Sequence, residues 1–167
     1  MLHFAHSLKE KPKSEWHRLD QHLRTTAERA ERFAAPFAKG WGHLAGLWHD
    51  ADKYQQAFQD YLAQTGDPTP TKVDHSTVGA LIALNKRAGP LTFVVAGHHG
   101  GLPNKLDLKA RLEKKHELLN AARESGMPAE LRICLALGQQ TKVTYAGCRV
   151  RINRNWMSTC FDALDPG

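Results

Sequence analysis

The feature that most constrains the fold is a helical spacing of apolar side chains early in the chain. The segment SEWHRLDQHLRTTAERAERFAAPFAK, opened by Ser14 or Pro12, repeats apolar residues every three or four positions. These residues are Trp16, Leu19, Leu23, Ala27, Ala30, Phe33 and Phe37. Such spacing places side chains along one face of a helix, so the segment predicts a long amphipathic helix. Gly40 and Gly42 end the pattern.

Further segments predict helices up to about residue 137. They cover roughly residues 42–50, 54–64, 74–88, 91–101 and 107–123. The segment KVTYAGCRVRI differs, because it alternates apolar and polar residues around Ala146 and Gly147 and so predicts a β-hairpin near 142–152. We therefore expect an all-α bundle over 1–137, and a C-terminal extension over 138–167 that packs on the same domain. Any β-structure is expected only in that hairpin.

Composition narrows the class of protein. A chain of 167 residues with 41% hydrophobic and 24% charged residues is typical of one soluble globular domain. There is no run of apolar residues long enough to span a bilayer and no signal-peptide pattern, so we expect a cytoplasmic protein without membrane contact. Three cysteines without CxxC spacing argue against a disulfide framework and a zinc ribbon. A net charge of +6 favours a polyanionic partner such as nucleic acid.

Ten histidines are the chemically informative residues of this chain. In GLWHDADKY, His49 and Asp50 close an apolar helix, where they either cap its end or hold a ligand. His22 lies on or beside the apolar stripe of the first helix, where a hydrogen-bonded core histidine is the ordinary alternative to a ligand. His75 opens a later helix and is otherwise a neighbour of its N-terminal cap.

The adjacent pair His98 and His99 is the strongest single signal. It follows a strongly apolar helix in VVAGHHGGLP, where two imidazoles are costly to desolvate without partners. Several helix ends that each deliver an imidazole or a carboxylate indicate one shared polar pocket. Imidazole with carboxylate suits transition-metal or magnesium-like ions, and five histidines with one aspartate exceed the ligands that one catalytic metal takes. Two divalent ions are therefore expected, with Mn, Ni, Co, Fe and Mg not distinguished.

The order H…HD…H…HH in a helical frame resembles the HD-domain metal-dependent phosphohydrolases. More narrowly, it is similar to the HD nuclease domain of type I CRISPR interference. The resemblance covers residues 1 to about 120. The motifs that carry it are Trp16-x5-His22-Leu23, WGHLAGLWHDADKYQQAFQDYL, VDHSTVGA and AGHHGGLP.

The resemblance assigns roles to individual residues. It implies an HD-domain helical bundle in which Asp50 bridges two metals and Lys53 pairs with phosphate or polarises the attacking water. Ser76 and Thr77 either contact the DNA backbone or simply start a helix. The implied metal ligands are His22, His49, Asp50, His75, His98 and His99. His6 is implied to have a structural role near the site, and no role is implied for His17, His43 and His116.

One motif departs from the pattern. The family closes its metal site with an aspartate from a late helix, and the comparable run here is STCFDALDPG, in which the register of Asp162 fits poorly. Either Asp162 completes the site, or the site lacks this ligand, or the C-terminal part is natively different. We expect that the tail takes no part.

The implied activity is metal-dependent cleavage of single-stranded DNA in antiviral defence. These 167 residues contain no GxxxxGK[ST] helicase motif, so the expected partners are a separate CRISPR helicase and an RNA-guided surveillance complex. Two alternatives stay open. The first is an HD phosphohydrolase of small nucleotides, and the second is a non-catalytic HD module that binds the CRISPR machinery.

Overall fold

A computed structural model of the protein describes residues 2–64, 76–113, 115–129 and 131, together with the backbone of 143–145 and 148–150. Helices dominate these ranges, so the predicted all-α fold is confirmed. The helices are α1 Leu19–Ala38, α2 Trp41–Trp48, α3 Gln56–Ala63, α4 Thr77–Asn85, α5 Gly89–Gly97, α6 Lys105–Leu112 and α7 His116–Glu124. Short 3₁₀ turns span Lys13–Glu15 and Ala51–Tyr54.

The prediction that β-structure occurs only in the C-terminal hairpin is wrong. Strands β1, Phe4–His6, and β2, His17–Arg18, form an antiparallel pair at the start of the chain. Helix α1 therefore begins at Leu19, later than predicted, and the Leu19 backbone N–H donates to the His3 carbonyl at 2.9 Å. Pairing with β1 overrides the helical spacing of the preceding residues, because propensity is weaker than tertiary contacts.

The C-terminal hairpin itself is confirmed. Strands β3, Val143–Tyr145, and β4, Cys148–Val150, are antiparallel, with Tyr145 opposite Cys148. The turn at 146–147, the predicted domain division at 137 and residues 151–167 lie outside the described residues.

The helix predicted over 107–123 is two helices, α6 and α7. The break falls in the charged sequence Glu113-Lys114-Lys115, which offers no apolar side chain to continue the buried stripe. Leu112 and Leu119 are nevertheless both buried, as their spacing predicts. Each short helix therefore packs its own apolar face inward.

Glycines allow the close helix contacts that assemble the core. A Cβ atom on Gly46 would overlap the backbone of Ala27, so α2 lies directly against α1. A Cβ atom on Gly79 would overlap the carbonyl of Trp48, so α4 passes equally close to the end of α2. Trp48 is fully buried there, and its indole N–H donates to the Leu131 carbonyl at 3.1 Å. These contacts hold the C-terminal end of α2 at the centre of the bundle.

Within the described residues, no helix combines the length and the apolar character that crossing a membrane requires.

Candidate metal centre

Asp50 is the centre of the site. It follows α2, its residue is 3% exposed, and its Oδ2 atom contacts three nitrogen atoms. His22 Nε2 lies 3.0 Å from Oδ2, His49 Nε2 lies 3.1 Å away and Lys53 Nζ lies 3.0 Å away. Helix α1 supplies His22 from its first turns, and the α2 terminus supplies His49. The tight packing of α1 against α2 therefore brings these two imidazoles onto one carboxylate oxygen.

The second oxygen of the same carboxylate faces another pair of imidazoles. His98 Nε2 lies 3.5 Å from Asp50 Oδ1, and His99 Nε2 lies 3.8 Å from it. Both histidines follow α5, and the His99 side chain is 51% exposed, so this ring reaches solvent although Asp50 Oδ1 itself is buried. Asp50 thus belongs to two groups of potential ligands, one with His22 and His49 and the other with His98 and His99. Within each group, the ligand atoms lie within 4.8 Å of one another.

Backbone contacts fix the tautomer of two rings. His49 Nδ1 lies 2.8 Å from the Gly46 carbonyl, and His98 Nδ1 lies 2.7 Å from the Val95 carbonyl. Because a carbonyl only accepts hydrogen bonds, each Nδ1 carries the proton and donates it. In the neutral rings, Nε2 then carries the free lone pair, and it lies 3.1 Å from an Asp50 oxygen in His49 and 3.5 Å in His98. A ring held through Nδ1 that offers Nε2 is the usual arrangement of metal-ligating histidines.

The donor set therefore fits divalent cations. A neutral Nε2 atom at 3.1 Å from a carboxylate oxygen places two lone pairs together unless a proton or a cation lies between them. Among the described residues, buried Asp50 Oδ1 and His98 Nε2 make no hydrogen bond. Buried polar atoms without partners are rare and call for an ion or water in the site. Imidazole with carboxylate is the ligand chemistry of transition metals.

The electrostatics agree with this fit. Burial alone would raise the pKa of Asp50, but the polar contacts with His22, His49 and His98 outweigh it and hold that pKa far below the ordinary range. Burial lowers the pKa of His98, and the nearby Asp50 carboxylate and Val95 carbonyl reverse this, so the net shift is upward. A carboxylate that stays ionised at the centre of an imidazole cluster is available to a cation at any physiological pH.

Lys53 lies inside the protein and contacts the same carboxylate. Its residue is 4% exposed, and besides Asp50 its ammonium group donates to the Ala5 carbonyl at 3.2 Å. Ala5 lies in β1, where the pairing with β2 is irregular between Phe4 and His6. The lysine therefore links the N-terminal strand to the site, and its predicted role toward phosphate requires it to act from this buried position.

The structure brings together five of the six predicted metal ligands: His22, His49, Asp50, His98 and His99. The sixth, His75, and the possible ligand Asp162 lie outside the described residues. Ser76 is 5% exposed and precedes α4, and Thr77 is 0% exposed and begins it. Such burial favours the helix-start alternative for both residues over contact with a DNA backbone.

Sequence reasoning missed several neighbours of the site. No role is predicted for Arg111, yet its guanidinium donates to the Ala96 carbonyl at 2.7 Å and also contacts the Ser76 hydroxyl. Asp52, two residues after Asp50, is fully buried and binds the start of α4. His17, to which no role was assigned, lies with His6 beside His22. For the group of His6, His17 and His22, the only signal in the sequence was the number of histidines near the start of the chain.

A helical bundle that gathers imidazoles around one aspartate is typical of HD-domain metal-dependent phosphohydrolases. The family model described as "Cas3, HD domain" matches residues 16–150, and the chain belongs to this family. It is therefore a CRISPR-associated HD domain of the metal-dependent hydrolase and nuclease class. No curated protein matches the chain.

Proposed function

We propose that this protein is a metal-dependent phosphodiesterase that cleaves single-stranded DNA during CRISPR antiviral defence. The observation that carries the proposal is the convergence of imidazole nitrogens on both oxygens of Asp50. Neither a structural cap nor a core hydrogen bond requires four imidazoles around one buried carboxylate. The proposed ligands are His22, His49 and Asp50 for one ion, and Asp50, His75, His98 and His99 for the other.

Phosphodiester hydrolysis needs a hydroxide nucleophile near neutral pH and neutralisation of charge on the scissile phosphate. Two bound divalent ions of the Mn, Ni, Co, Fe or Mg type supply both requirements. Residues of the chain hold the proposed ligands in position and balance their charge. The Gly46 and Val95 carbonyls fix the rings of His49 and His98, and the Lys53 ammonium offsets the negative charge of Asp50.

The proposed substrate is a DNA strand whose backbone is bound without sequence preference. A net charge of +6 supports binding to a polyanion, and the open side of the cluster at His99 offers the approach for an extended strand. We propose that a CRISPR helicase subunit and an RNA-guided surveillance complex present this strand in the cytoplasm. The chain's membership of the Cas3 HD family supports these partners.

Cleavage assays with the purified full chain test the proposal. Metal content is measured first, and then single-stranded DNA, duplex DNA, RNA, nucleotides and cyclic nucleotides are each incubated with Mn²⁺, Ni²⁺, Co²⁺, Fe²⁺ or Mg²⁺. We expect metal-dependent cleavage of single-stranded DNA that chelation abolishes. Cleavage of small nucleotides alone identifies a nucleotide phosphohydrolase instead, and bound metal without cleavage of any substrate identifies a non-catalytic module.

A further inference from the structure

A second cluster of histidines lies beside the centre around Asp50. His6 ends β1 and His17 begins β2, and the two residues are cross-strand partners in the hairpin. Their rings stack with centroids 5.9 Å apart, and the ring of His22 on α1 packs edge-on against both, at 5.2 Å from His6 and 5.4 Å from His17. Three imidazoles from three successive elements therefore meet on one side of the bundle.

The spacing of the ligand atoms suits one cation. One nitrogen from each of His6, His17 and His22 lies within 4.8 Å of the other two. A tetrahedral zinc ion with Zn–N bonds of about 2.0–2.1 Å needs nitrogens roughly 3.4 Å apart. Since His6 and His17 are exposed, small rotations of their side chains are enough to close this difference.

The surroundings argue for an ion with a preference for nitrogen. Each of the three residues offers an imidazole, and the cluster contains no carboxylate of its own. Calcium and magnesium prefer oxygen ligands, whereas zinc, cobalt, nickel and copper bind imidazole well.

We propose that His6, His17 and His22 form an additional site for a zinc-like transition-metal ion, which ties the N-terminal hairpin to α1. The site shares His22 with the proposed nuclease centre, where His22 Nε2 lies 3.0 Å from Asp50 Oδ2, so the second cluster has to be tested without that carboxylate. The same hairpin supplies the Ala5 carbonyl to Lys53, so an ion bound here fixes the strand on which that buried lysine depends. This role does not require the chain to cleave DNA.

The test removes the nuclease centre and then asks what the second cluster still binds. In the full chain carrying Asp50→Ala, Zn²⁺ is titrated against a competing indicator, and Co²⁺ is added separately to record the visible absorption of a tetrahedral nitrogen site. We expect that adding His17→Gln or His6→Gln to this background removes one equivalent of Zn²⁺ and the corresponding cobalt band. His116→Gln is the matched control, since His116 is exposed at the start of α7, and it should retain both signals.

Any ion still held by the other histidines is present in both chains, so the difference reports the second cluster alone. If the double variants bind as much Zn²⁺ as Asp50→Ala, the proposal is wrong. Should Asp50→Ala fail to fold, the same comparison is made between the unaltered chain and His17→Gln, with thermal unfolding as a second measurement. Zn²⁺ should then raise the Tm of the unaltered chain by more than that of His17→Gln. These binding and unfolding measurements do not depend on cleavage, so the second site can be confirmed or rejected even if the chain cleaves no DNA.

Discussion

Asp50 and Asp52 lie two residues apart, and both are buried, yet their surroundings differ. Asp52 Oδ1 accepts hydrogen bonds from the backbone N–H groups of Thr77 at 2.9 Å and Val78 at 2.7 Å, and its other oxygen lies 3.4 Å from the Gly79 nitrogen. These donors belong to the first turn of α4, where the backbone has no acceptor of its own. Asp52 is therefore satisfied by the fold.

Asp50 is surrounded by side chains instead of backbone groups. Imidazole nitrogens and one ammonium group face it, and among the described residues its Oδ1 atom makes no hydrogen bond. Backbone N–H donors are permanent, whereas imidazole lone pairs require a proton or a metal ion to be compatible with a carboxylate. The comparison shows that the kind of partner, and not burial or residue type, separates a structural carboxylate from one suited to metal.

Replacing Asp50 should have the largest effect. Asp50→Ala removes the carboxylate that, among the described residues, both groups of histidines share, so the metal held by this centre should be lost and DNA cleavage should fall about 1000-fold or more. Helical content should stay nearly unchanged, because within the described part of the chain this carboxylate contacts side chains and not the backbone of a helix. Metal analysis, a cleavage assay and circular dichroism measure these outcomes. Normal cleavage by this variant would show that the assignment of the site is wrong.

Replacing Asp52 should chiefly affect stability. Asp52→Ala leaves buried N–H groups at the start of α4 without an acceptor, so the free energy of unfolding should fall by about 2–4 kcal/mol. Urea unfolding measures this change, and Asp60→Ala, at an exposed position, is the matched control with an expected change below about 0.5 kcal/mol. Unchanged stability combined with a loss of bound metal would mean that the two aspartates share one role.

Lys53 sharpens the comparison, because its ammonium group already contacts Asp50 at 3.0 Å. Lys53→Met keeps the apolar stem and removes the ammonium group, so cleavage should fall about 10- to 100-fold, equivalent to the loss of one charged hydrogen bond. Metal content should be retained, since lysine is not expected to act as a ligand here. Lys9→Met, at a position whose side chain is 92% exposed, is the control. Loss of metal from Lys53→Met would instead make the lysine a support of the metal site.

The smallest expected effect is on the pH dependence of the metal-free protein. Asp50 and the Val95 carbonyl raise the pKa of His98 above its ordinary value of 6.5 despite the opposing effect of burial. A raised pKa means that the folded state binds the proton more tightly than the unfolded state does. The stabilisation that His98 provides is therefore fully present below pH 6.5 and is lost as the pH rises through the higher pKa of the folded state. Urea unfolding of the chelator-treated protein, measured from below pH 6.5 upward, should show that the free energy of unfolding declines as the pH rises. The decline should be smaller in His98→Gln. If the stability of His98→Gln depends on pH in the same way as that of the unaltered chain, the prediction is wrong.

The sequence by itself predicted the helical class, which the structure confirms, and the residue types that gather at the centre. Helical spacing, glycine breaks and the short C-terminal hairpin follow from local periodicity, which is readable because side chains on one face must share one environment. The HD and HH doublets each follow an apolar helix, and a polar pair at such a position is informative because its desolvation is costly. Their roles as ligands, including those of His75 and Asp162, stay predictions.

Only the tertiary structure decided which polar residues meet. The local sequence does not show that Asp52 is structural, because the backbone donors that satisfy Asp52 come from α4, about 25 residues later in the chain. The pairing of β1 with β2 shortened α1 and placed His6 and His17 beside His22, and no periodicity in those segments indicates that contact. Contacts between distant segments depend on the packing of whole elements, as where Gly46 and Gly79 let helices approach, and a local pattern does not encode such packing.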